Sequence, residues 1–262
     1  MKGRFDGKVV LVTGGNRNTG LDFVEKFARE GAKVFMCGSG EASTAKGAEA
    51  LKARGLDGIV SQPCDISDAS QVKALFDTIE REAGRLDVLV NNAANQGIGH
   101  GGPLEMEADK FWDVLKTNVV GGFRVTQMAC NRFFMKQESR GAVVFLSSNT
   151  AMRAIRGRTA YCASKGAINS MVRSLALDLA PLGIRVNCCA PGYIYTERWD
   201  VLDPVKAARR RLNCPLRKEA KGSDIANVVA FLASDDSANM TGEIVTCDAG
   251  CSCQHMPEDV DV

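Results

Sequence analysis

The chain has 262 residues, of which 45% are hydrophobic and 24% charged, as is usual for a globular domain with a sizeable core. Its 33 basic and 31 acidic residues leave a formal charge of +2, which gives no indication of a nucleic-acid or membrane-surface partner. No apolar stretch reaches the roughly 18 residues of a membrane span. The apolar run near the N-terminus lacks the small-residue cleavage site of a signal peptide. We therefore expect a cytoplasmic protein without a nucleic-acid or membrane partner.

The ten cysteines are scattered through predicted strands and helices, so we expect reduced thiols that fill the core rather than a disulfide framework. One group stands closer together: Cys247, Cys251, Cys253 and His255. Structural zinc sites usually have two cysteines separated by about two to four residues. A single residue separates Cys251 from Cys253. We therefore predict no metal site.

The first predicted strand, Lys8 to Val12, is followed by TGGNRNTG at Thr13 to Gly20 and then by an amphipathic helical pattern. A strand, a glycine-containing turn and a helix predict the first unit of a dinucleotide-binding fold, in which the helix N-terminus faces a pyrophosphate. Asn18 stands where a middle glycine is expected. Because asparagine tolerates a left-handed backbone better than most residues do, we expect the turn to be kept.

The end of the second predicted strand, Lys33 to Cys37, bears on the choice of dinucleotide. An NAD site normally has an acidic residue there that binds the ribose 2′-hydroxyl, and the nearest one in this chain is Glu41. Arg17 in the turn and Ser39 after the strand instead offer a cation and a hydroxyl, which suit a 2′-phosphate. We predict NADP as the cofactor, with NAD as the alternative.

Strands and helices alternate along the rest of the chain. Further strands are predicted at Gly58 to Gln62, Asp87 to Val90, Ala142 to Leu146 and Ile184 to Cys189. The alternation predicts one α/β domain, a doubly wound Rossmann fold with about seven parallel strands and helices on both faces. Ligands of such sheets bind beyond the carboxyl ends of the strands. Polar motifs follow four of the predicted strands, namely TGGNRNTG, Asp65, Asn91 to Ala94, and Ser147 with Ser148.

A long helical region, Glu107 to Gln137, contains Asn118 and, three residues later, a pair of glycines. This combination runs against helix propensity. It indicates either a local packing kink or a helix that opens to place a carbonyl or a water near the site.

The segment from Ser148 to Lys165 combines a serine, a tyrosine thirteen residues later and a lysine four residues beyond the tyrosine. Tyr161 and Lys165 are one helical turn apart, so both side chains can leave the same helix face. A fixed ammonium beside a phenol favours the phenolate, which predicts a lowered tyrosine pKa. Ser148 offers a hydroxyl that could hydrogen-bond a substrate oxygen. The three side chains together predict an acid/base site.

Taken in order, these motifs resemble those of the short-chain dehydrogenase/reductase family over nearly the whole chain, from Phe5 to about Gly250. The shared residues are Thr13 and Gly14, Asn91 to Ala94, Asn118, Ser147 and Ser148, Tyr161 to Lys165, Pro191 and Gly192, and Thr246 to Gly250. The resemblance implies an NAD(P)-dependent oxidoreductase that interconverts a ketone and a secondary alcohol. It also implies a homotetramer or homodimer that associates through the helices around Asn118 and Tyr161.

The resemblance also implies a role for each matching residue. Tyr161 would be the general acid/base, and Lys165 would hold the nicotinamide ribose and lower the tyrosine pKa. Ser148 would orient the substrate oxygen, while Asn118 would hold a water of the proton relay. The cofactor would contact Gly14, Gly15, Asn16, Arg17, Thr19, Gly20, Ser39, Asp65, Ile66, Asn92, Ala93, Tyr161, Lys165, Pro191, Gly192, Ile194 and Thr196.

We assign residues 1–253 to the oxidoreductase domain and residues 254–262 to a short acidic tail. Residues 193–215 are predicted to be a substrate lid, whose aromatic residues either contact the substrate or pack the lid onto the domain. The run Arg209 to Arg211 indicates a solvated helix face or a site for an acidic acyl carrier. We expect a mostly apolar substrate, hydroxysteroid-like or 3-oxoacyl-like. The alternative is a catalytically silent dinucleotide-binding or regulatory protein that retains the fold.

Overall fold

The structure, a computed structural model, describes residues 3–256, so residues 257–262 of the predicted acidic tail lie outside it. Its strands are β1 (Val9–Thr13), β2 (Lys33–Gly38), β3 (Val60–Pro63), β4 (Val88–Asn91), β5 (Ala142–Leu146), β6 (Arg185–Pro191) and β7 (Ile244–Cys247). They form one parallel sheet in the order β3-β2-β1-β4-β5-β6-β7. The chain winds outward in both directions from β1, which confirms the predicted doubly wound fold.

The helices connect successive strands. They are α1 (Thr19–Arg29), α2 (Glu41–Ala53), α3 (Ala69–Ala83), α4 (Ala108–Leu115), α5 (Gly122–Ala129), α6 (Thr159–Leu179), α7 (Pro204–Leu212) and α8 (Gly222–Ala233). A π-helix, Lys116–Gly121, joins α4 to α5, and a second one, Cys130–Phe134, follows α5. No helix within residues 3–256 is both long enough and apolar enough to cross a membrane.

The sheet separates two hydrophobic cores because successive side chains of a strand point to opposite faces. In β1, Val9 and Leu11 enter the core beneath α3, α5 and α6, whereas Val10 and Val12 enter the core beneath α1 and α8. Every residue of β1 is buried, as expected for a central parallel strand covered on both faces. The helices on both faces therefore hold the carboxyl edge of the sheet in a fixed position.

The ten cysteines are free thiols, and seven of them are buried, in agreement with the prediction of reduced core residues. Within the described chain, no group of three or more His, Cys, Asp or Glu side chains is placed to hold a metal ion. That finding covers Cys247, Cys251, Cys253 and His255, the group weighed as a zinc site above.

Candidate active site

Polar residues that follow the strands converge at the carboxyl edge of the sheet. Thr13, at the end of β1, is fully buried, and its hydroxyl donates to Val90 O at 3.3 Å. The same hydroxyl accepts the N–H groups of Asn92 at 3.1 Å and Ala93 at 3.2 Å. The Asn92 amide in turn donates to Thr13 O at 3.0 Å and to Gly14 O at 2.8 Å. These bonds tie the turn after β1 to the end of β4, where the strand order reverses.

The turn between β1 and α1 requires glycine at two positions. Gly14 has φ +63°, and a Cβ there would lie 2.8 Å from Ala93 Cα. A Cβ on Gly20 would collide with Gly14 O. Asn18 has the expected positive φ, 47°, but its ψ of −136° lies outside the left-handed helical region. The close approach of backbone segments therefore explains why the turn keeps glycine on both sides of Asn18.

The N-terminus of α1 is suited to an anion. Asp68 caps α3 by accepting the N–H groups of Ser70 at 2.8 Å and Gln71 at 3.2 Å. Asn18, at the equivalent position of α1, makes no capping side-chain bond with the described residues. The N-terminal N–H groups and the helix dipole attract negative charge, as in dinucleotide sites. The residues present thus fit the pyrophosphate of a dinucleotide.

The residues predicted to select the dinucleotide lie beside one another. The side chain of Asn16 is buried against Gly38 and donates to Ser43 Oγ at 3.0 Å. Arg17 and Ser39, the next residues on these two segments, are both exposed. The Asn16 amide is thus used inside the protein, while a cation and a hydroxyl face outward at the end of β2.

Asp65 and Ile66 follow β3 at the same edge. The Asp65 carboxylate accepts the N–H of Ser67 at 2.9 Å, which shapes a local turn. The Ile66 carbonyl accepts the Arg124 guanidinium at 2.9 Å, and its side chain packs where a Cβ on Gly121 would stand. Ile66 is therefore anchored to the π-helix and α5, whereas Asp65 is held by its local turn.

Asn118 lies in the π-helix Lys116–Gly121 and is 3% exposed. Its side chain accepts the Asn95 N–H at 2.7 Å and donates to Asn95 O at 2.9 Å. It also donates to Ser164 Oγ at 2.9 Å, and that hydroxyl donates to Tyr161 O at 2.7 Å. The widened helical turn thus connects the loop after β4 to the helix that carries Tyr161. The water predicted beside Asn118 stays a prediction.

Ser148, Tyr161 and Lys165 come together at the end of β5. Ser148 is the N-cap of a short 3-10 helix, and its Oγ accepts the Thr150 N–H at 3.2 Å. Ser148 lies close enough to the Tyr161 phenol to act on its pKa. Lys165 Nζ lies 5.4 Å from the centre of the Tyr161 ring and donates to Leu146 O at 2.7 Å. The three side chains predicted from one segment therefore share one site.

The electrostatics of this site differ from the expectation. Burial raises the pKa of Tyr161 above its usual value, and the hydrogen bond from Ser148 opposes that rise only in part. Burial also lowers the pKa of Lys165 to about 8, because a buried ammonium loses its hydration. The ammonium donates to Leu146 O, and Lys165 is not among the groups that shift the Tyr161 pKa. The prediction that the neighbouring lysine lowers the tyrosine pKa is therefore wrong.

The segment after β6 completes the edge of the site. Pro191 ends the strand, and a Cβ on Gly192 would lie 2.6 Å from Asp248 Cβ. Ile194 forms an isolated parallel bridge with Ala220. Thr196 begins the 3-10 helix Glu197–Trp199. Gly192, Ile194 and Thr196, which are predicted cofactor contacts, thus follow β6 directly and lie between the candidate active site and the turn after β7.

The aromatic residues of the predicted lid pack within it. Tyr193 and Trp199 meet edge to face at 6.2 Å. The Arg210 guanidinium lies 5.8 Å from the Tyr193 ring and 5.5 Å from the Trp199 ring. Arg211 lies 5.5 Å from the Trp199 ring and makes a bidentate ion pair with Glu219 at 2.7 and 2.8 Å. The arrangement favours the packing alternative for these aromatic residues.

Two buried residues of the site were missed by sequence reasoning. Ser164 is fully buried between Asn118 and Tyr161, and its signal was its place immediately before Lys165. Asp248, inside the shared stretch Thr246 to Gly250, accepts Asn149 Nδ2 at 3.1 Å and Ser252 Oγ at 2.6 Å. Asp248 therefore connects the residue after Ser148 to the turn that follows β7.

A separate cavity of about 410 Å³ lies at the opposite, amino edge of the sheet. Its lining includes Lys8, Val88 and Arg185, which stand at or near strand starts. The Arg185 guanidinium donates there to Leu232 O at 2.9 Å and Ser234 O at 2.9 Å, the last carbonyls of α8. This cavity is remote from Tyr161, and Arg185 serves there as a cap for the C-terminus of α8.

The chain matches a family model described as Enoyl-(Acyl carrier protein) reductase over residues 15–252. It is 36% identical over 251 residues to 3-oxoacyl-[acyl-carrier-protein] reductase FabG of Thermotoga maritima, covering 94% of this chain and 98% of the relative. It is 32% identical over 252 residues to 3-oxoacyl-[acyl-carrier-protein] reductase MabA of Mycobacterium avium, covering 96% and 92%.

A solved structure gives the same result. The crystal structure of gox2181 superposes with a TM-score of 0.87 at 32% identity, covering 95% of this chain and 97% of that one. Sequence similarity, fold and the order of the site motifs thus agree over nearly the whole length. The chain belongs to the short-chain dehydrogenase/reductase family and is an NAD(P)-dependent oxidoreductase.

Proposed function

We propose that the protein interconverts a ketone and a secondary alcohol at the carboxyl edge of its sheet, with Tyr161 as the general acid/base. The observation that carries this proposal is the position of the buried Lys165, whose Nζ lies 5.4 Å from the centre of the Tyr161 ring, with Ser148 beside the phenol. A phenol that stays protonated in the folded protein is a ready proton donor to a ketone oxygen. In the oxidative direction the same oxygen takes the proton from the alcohol.

Each neighbour of Tyr161 has a distinct task in this proposal. Ser148 donates a hydrogen bond to the substrate oxygen and fixes it within reach of the phenol. Lys165 binds the ribose hydroxyls of the cofactor. Asn118 holds the helix that carries Tyr161 through Ser164. The nicotinamide, when bound, supplies or accepts the hydride.

We infer NADP as the preferred dinucleotide. The support is the exposed pair of Arg17 and Ser39 at the end of β2, where a guanidinium can bind a 2′-phosphate through paired hydrogen bonds. Glu41, the acidic residue nearest in sequence, is exposed as the first residue of α2. The uncapped N-terminus of α1 would bind the pyrophosphate.

Among apolar substrates, we propose a 3-oxoacyl thioester first and a hydroxysteroid ketone second. The names of the related reductases support the first choice. The charge of the arginine run in the lid gives the thioester little further support. Arg210 and Arg211 lie against Trp199, and Arg211 is paired with Glu219. We also propose association into a dimer or tetramer through the α4–α5 and α6 helices. Trp112 and Phe123 on this surface are 54% and 42% exposed.

Substitution Tyr161→Phe tests the mechanism. We expect kcat to fall by about 10²- to 10⁴-fold, the usual contribution of general acid catalysis, while the dinucleotide still binds. The assay is NADPH and NADH oxidation with 3-oxoacyl thioesters, steroid ketones and cyclic ketones. Tyr195→Phe is the matched control, because that hydroxyl bonds to Asp200 within the lid. Unchanged turnover by Tyr161→Phe would contradict the proposal, and binding without turnover by the wild-type protein would favour a silent binding protein.

A further inference from the structure

Two thiols meet where the predicted lid, residues 193–215, joins the domain. Cys214 follows α7 and Cys251 follows β7, and they are 1% and 4% exposed. The two segments are joined by a backbone hydrogen bond from Leu216 N–H to Ala249 O at 3.1 Å. The Cys214 and Cys251 thiols are close enough for each to shift the pKa of the other. Residues 37 positions apart in sequence thus lie side by side across this contact.

The Cys251 sulfur is surrounded by donors. Asn213 Nδ2 donates to it at 3.3 Å and Arg153 Nη1 at 3.8 Å. Arg153, which lies outside the lid, also donates to the Cys251 carbonyl. Its guanidinium is therefore held beside Cys251 independently of the lid. Hydrogen-bond donors and a fixed cation favour a thiolate over a thiol. Cys251 is therefore equipped as the attacking sulfur, and Cys214 as its partner.

The closed arrangement protects both thiols. Burial raises the pKa of Cys251, although Arg153 acts in the opposite direction, and burial raises the pKa of Cys214 to about 11. Movement of the lid away from the domain removes this burial from Cys251, while Arg153 stays beside it. Reactivity of the pair is thus tied to opening of the lid.

We propose that Cys214 and Cys251 form a redox-sensitive pair, which a hydroperoxide converts into an intramolecular disulfide that ties the end of α7 to the turn after β7. The inference rests on the proposed function and on the substrate lid predicted for residues 193–215. The disulfide would restrict the lid and so slow exchange of substrate and product. Turnover would then depend on the redox state of the pair.

The chemistry balances with the hydroperoxide as the oxidant. The Cys251 thiolate attacks one peroxide oxygen and the O–O bond breaks, giving a sulfenic acid and, for hydrogen peroxide, a hydroxide that is protonated to water. The Cys214 sulfur then attacks the Cys251 sulfur, the S–O bond breaks and a second water leaves. Two thiols lose two electrons, and the peroxide gains them. A dithiol reductant reverses the change by thiol–disulfide exchange.

The chain contains a matched comparison pair. Cys37 and Cys64 are also buried and close enough for Cys64 to raise the pKa of Cys37, at the ends of β2 and β3. Within residues 3–256, however, no side-chain N–H group donates to either of their sulfurs, and the sheet holds them far from any lid. We therefore expect Cys37 and Cys64 to stay reduced under conditions that oxidise the Cys214–Cys251 pair.

The experiment treats the full-length protein with hydrogen peroxide and maps its disulfides by mass spectrometry after the remaining thiols are alkylated. We expect a peptide pair joined through Cys214 and Cys251, a mass loss of two hydrogen atoms, and a fall in turnover that dithiothreitol restores. Cys214→Ser and Cys251→Ser should lose both the linked peptides and the reversible inhibition. Cys253→Ser, at the exposed neighbour, should keep both.

Three results would overturn the inference. They are reduced Cys214 and Cys251 after peroxide treatment, a disulfide through other cysteines, and equal inhibition of Cys214→Ser and wild type. Mapping of the wild-type protein decides the first two even if a serine variant fails to fold. Because the mapping needs no turnover, loss of the redox pair and loss of the proposed ketone reduction are separate outcomes.

Discussion

At the scale of single residues, Lys165 shows how a residue of the candidate site lowers the stability of the folded protein. The residue is 3% exposed, and burial lowers its pKa to about 8. An unfolded lysine titrates near ~10.4. Between these values the unfolded chain holds a proton that the folded chain has released, so the contribution of Lys165 to stability rises with pH. Below about pH 8 the folded protein bears the cost of a buried charge.

Substitution Lys165→Met tests this linkage, because methionine keeps the length of the side chain without the charge. We expect the difference in free energy of unfolding, wild type minus Lys165→Met, to increase by about 1 kcal/mol between pH 8 and 9. Urea unfolding at a series of pH values measures the difference. Lys73→Met, at an exposed lysine paired with Asp77, should show no such slope. A difference that is flat with pH would show that Lys165 titrates normally.

Asn118 makes a second residue-level prediction, because one buried amide bonds to Asn95 twice and to Ser164 once. We expect Asn118→Ala to lower the free energy of unfolding by about 2–3 kcal/mol and to reduce turnover as well. Asn91→Ala is the control, since that buried amide makes one bond, to Thr126 Oγ1 at 2.9 Å. Its loss should cost about 1 kcal/mol. Equal losses from the two variants in chemical denaturation would contradict the structural account.

The sequence motifs predicted which residues form the candidate site, but they did not predict the direction of the pKa shifts within it. Spacing placed Ser148, Tyr161 and Lys165 on one site, which the structure brings together. The direction of the Tyr161 pKa depends on burial and on where the ammonium points, toward Leu146 O. Neither quantity can be read from spacing along a helix. The missed Ser164 likewise becomes informative only when the π-helix brings Asn118 to it.

At the scale of elements, the strands follow from apolar runs bounded by polar or glycine residues. The bounds of the six strands located in the sequence differ by at most two residues from those observed, and those of β5 coincide. β1, for example, is Val9–Thr13 where Lys8 to Val12 was predicted. The π-helix Lys116–Gly121 is harder to foresee. Its glycines and Asn118 predict a disturbance in a helix, but the partner that decides its form lies on a distant loop, at Asn95.

The lid provides the element-level prediction. Trp199 joins Tyr193, Arg210 and Arg211, so its ring holds the 3-10 helix against the last turn of α7. We expect Trp199→Ala to speed tryptic cleavage at the arginines of α7 several-fold, because cleavage requires local opening. Limited proteolysis followed by mass spectrometry measures the rate. Tyr195→Ala, at a ring outside this cluster, is the control, and equal cleavage of both variants would contradict the anchoring role of Trp199.

At the scale of the whole molecule, the two cores hold one edge of the sheet ready for a ligand that crosses the β1–β4 boundary. The turn after β1, the ends of β2 and β3 and the segment after β6 each contribute predicted contacts, and α1 presents its uncapped N-terminus between them. A ligand that bridges these segments binds the folded chain alone. It must therefore raise stability by mass action.

The choice between dinucleotides can be measured through this linkage. At a concentration 100 times its dissociation constant, a dinucleotide should add about 2.7 kcal/mol to the free energy of unfolding. We expect NADP to raise the melting temperature more than NAD does at equal concentration. Arg17→Ala should weaken NADP binding by about 10- to 100-fold, since a charge-assisted hydrogen bond is lost, and leave NAD binding nearly unchanged. Lys73→Ala removes one positive charge at an exposed lysine that is paired with Asp77, and it should preserve the preference. A larger increase in melting temperature with NAD in the wild-type protein would contradict the role of Arg17 and Ser39 in binding a 2′-phosphate. It would favour NAD as the cofactor.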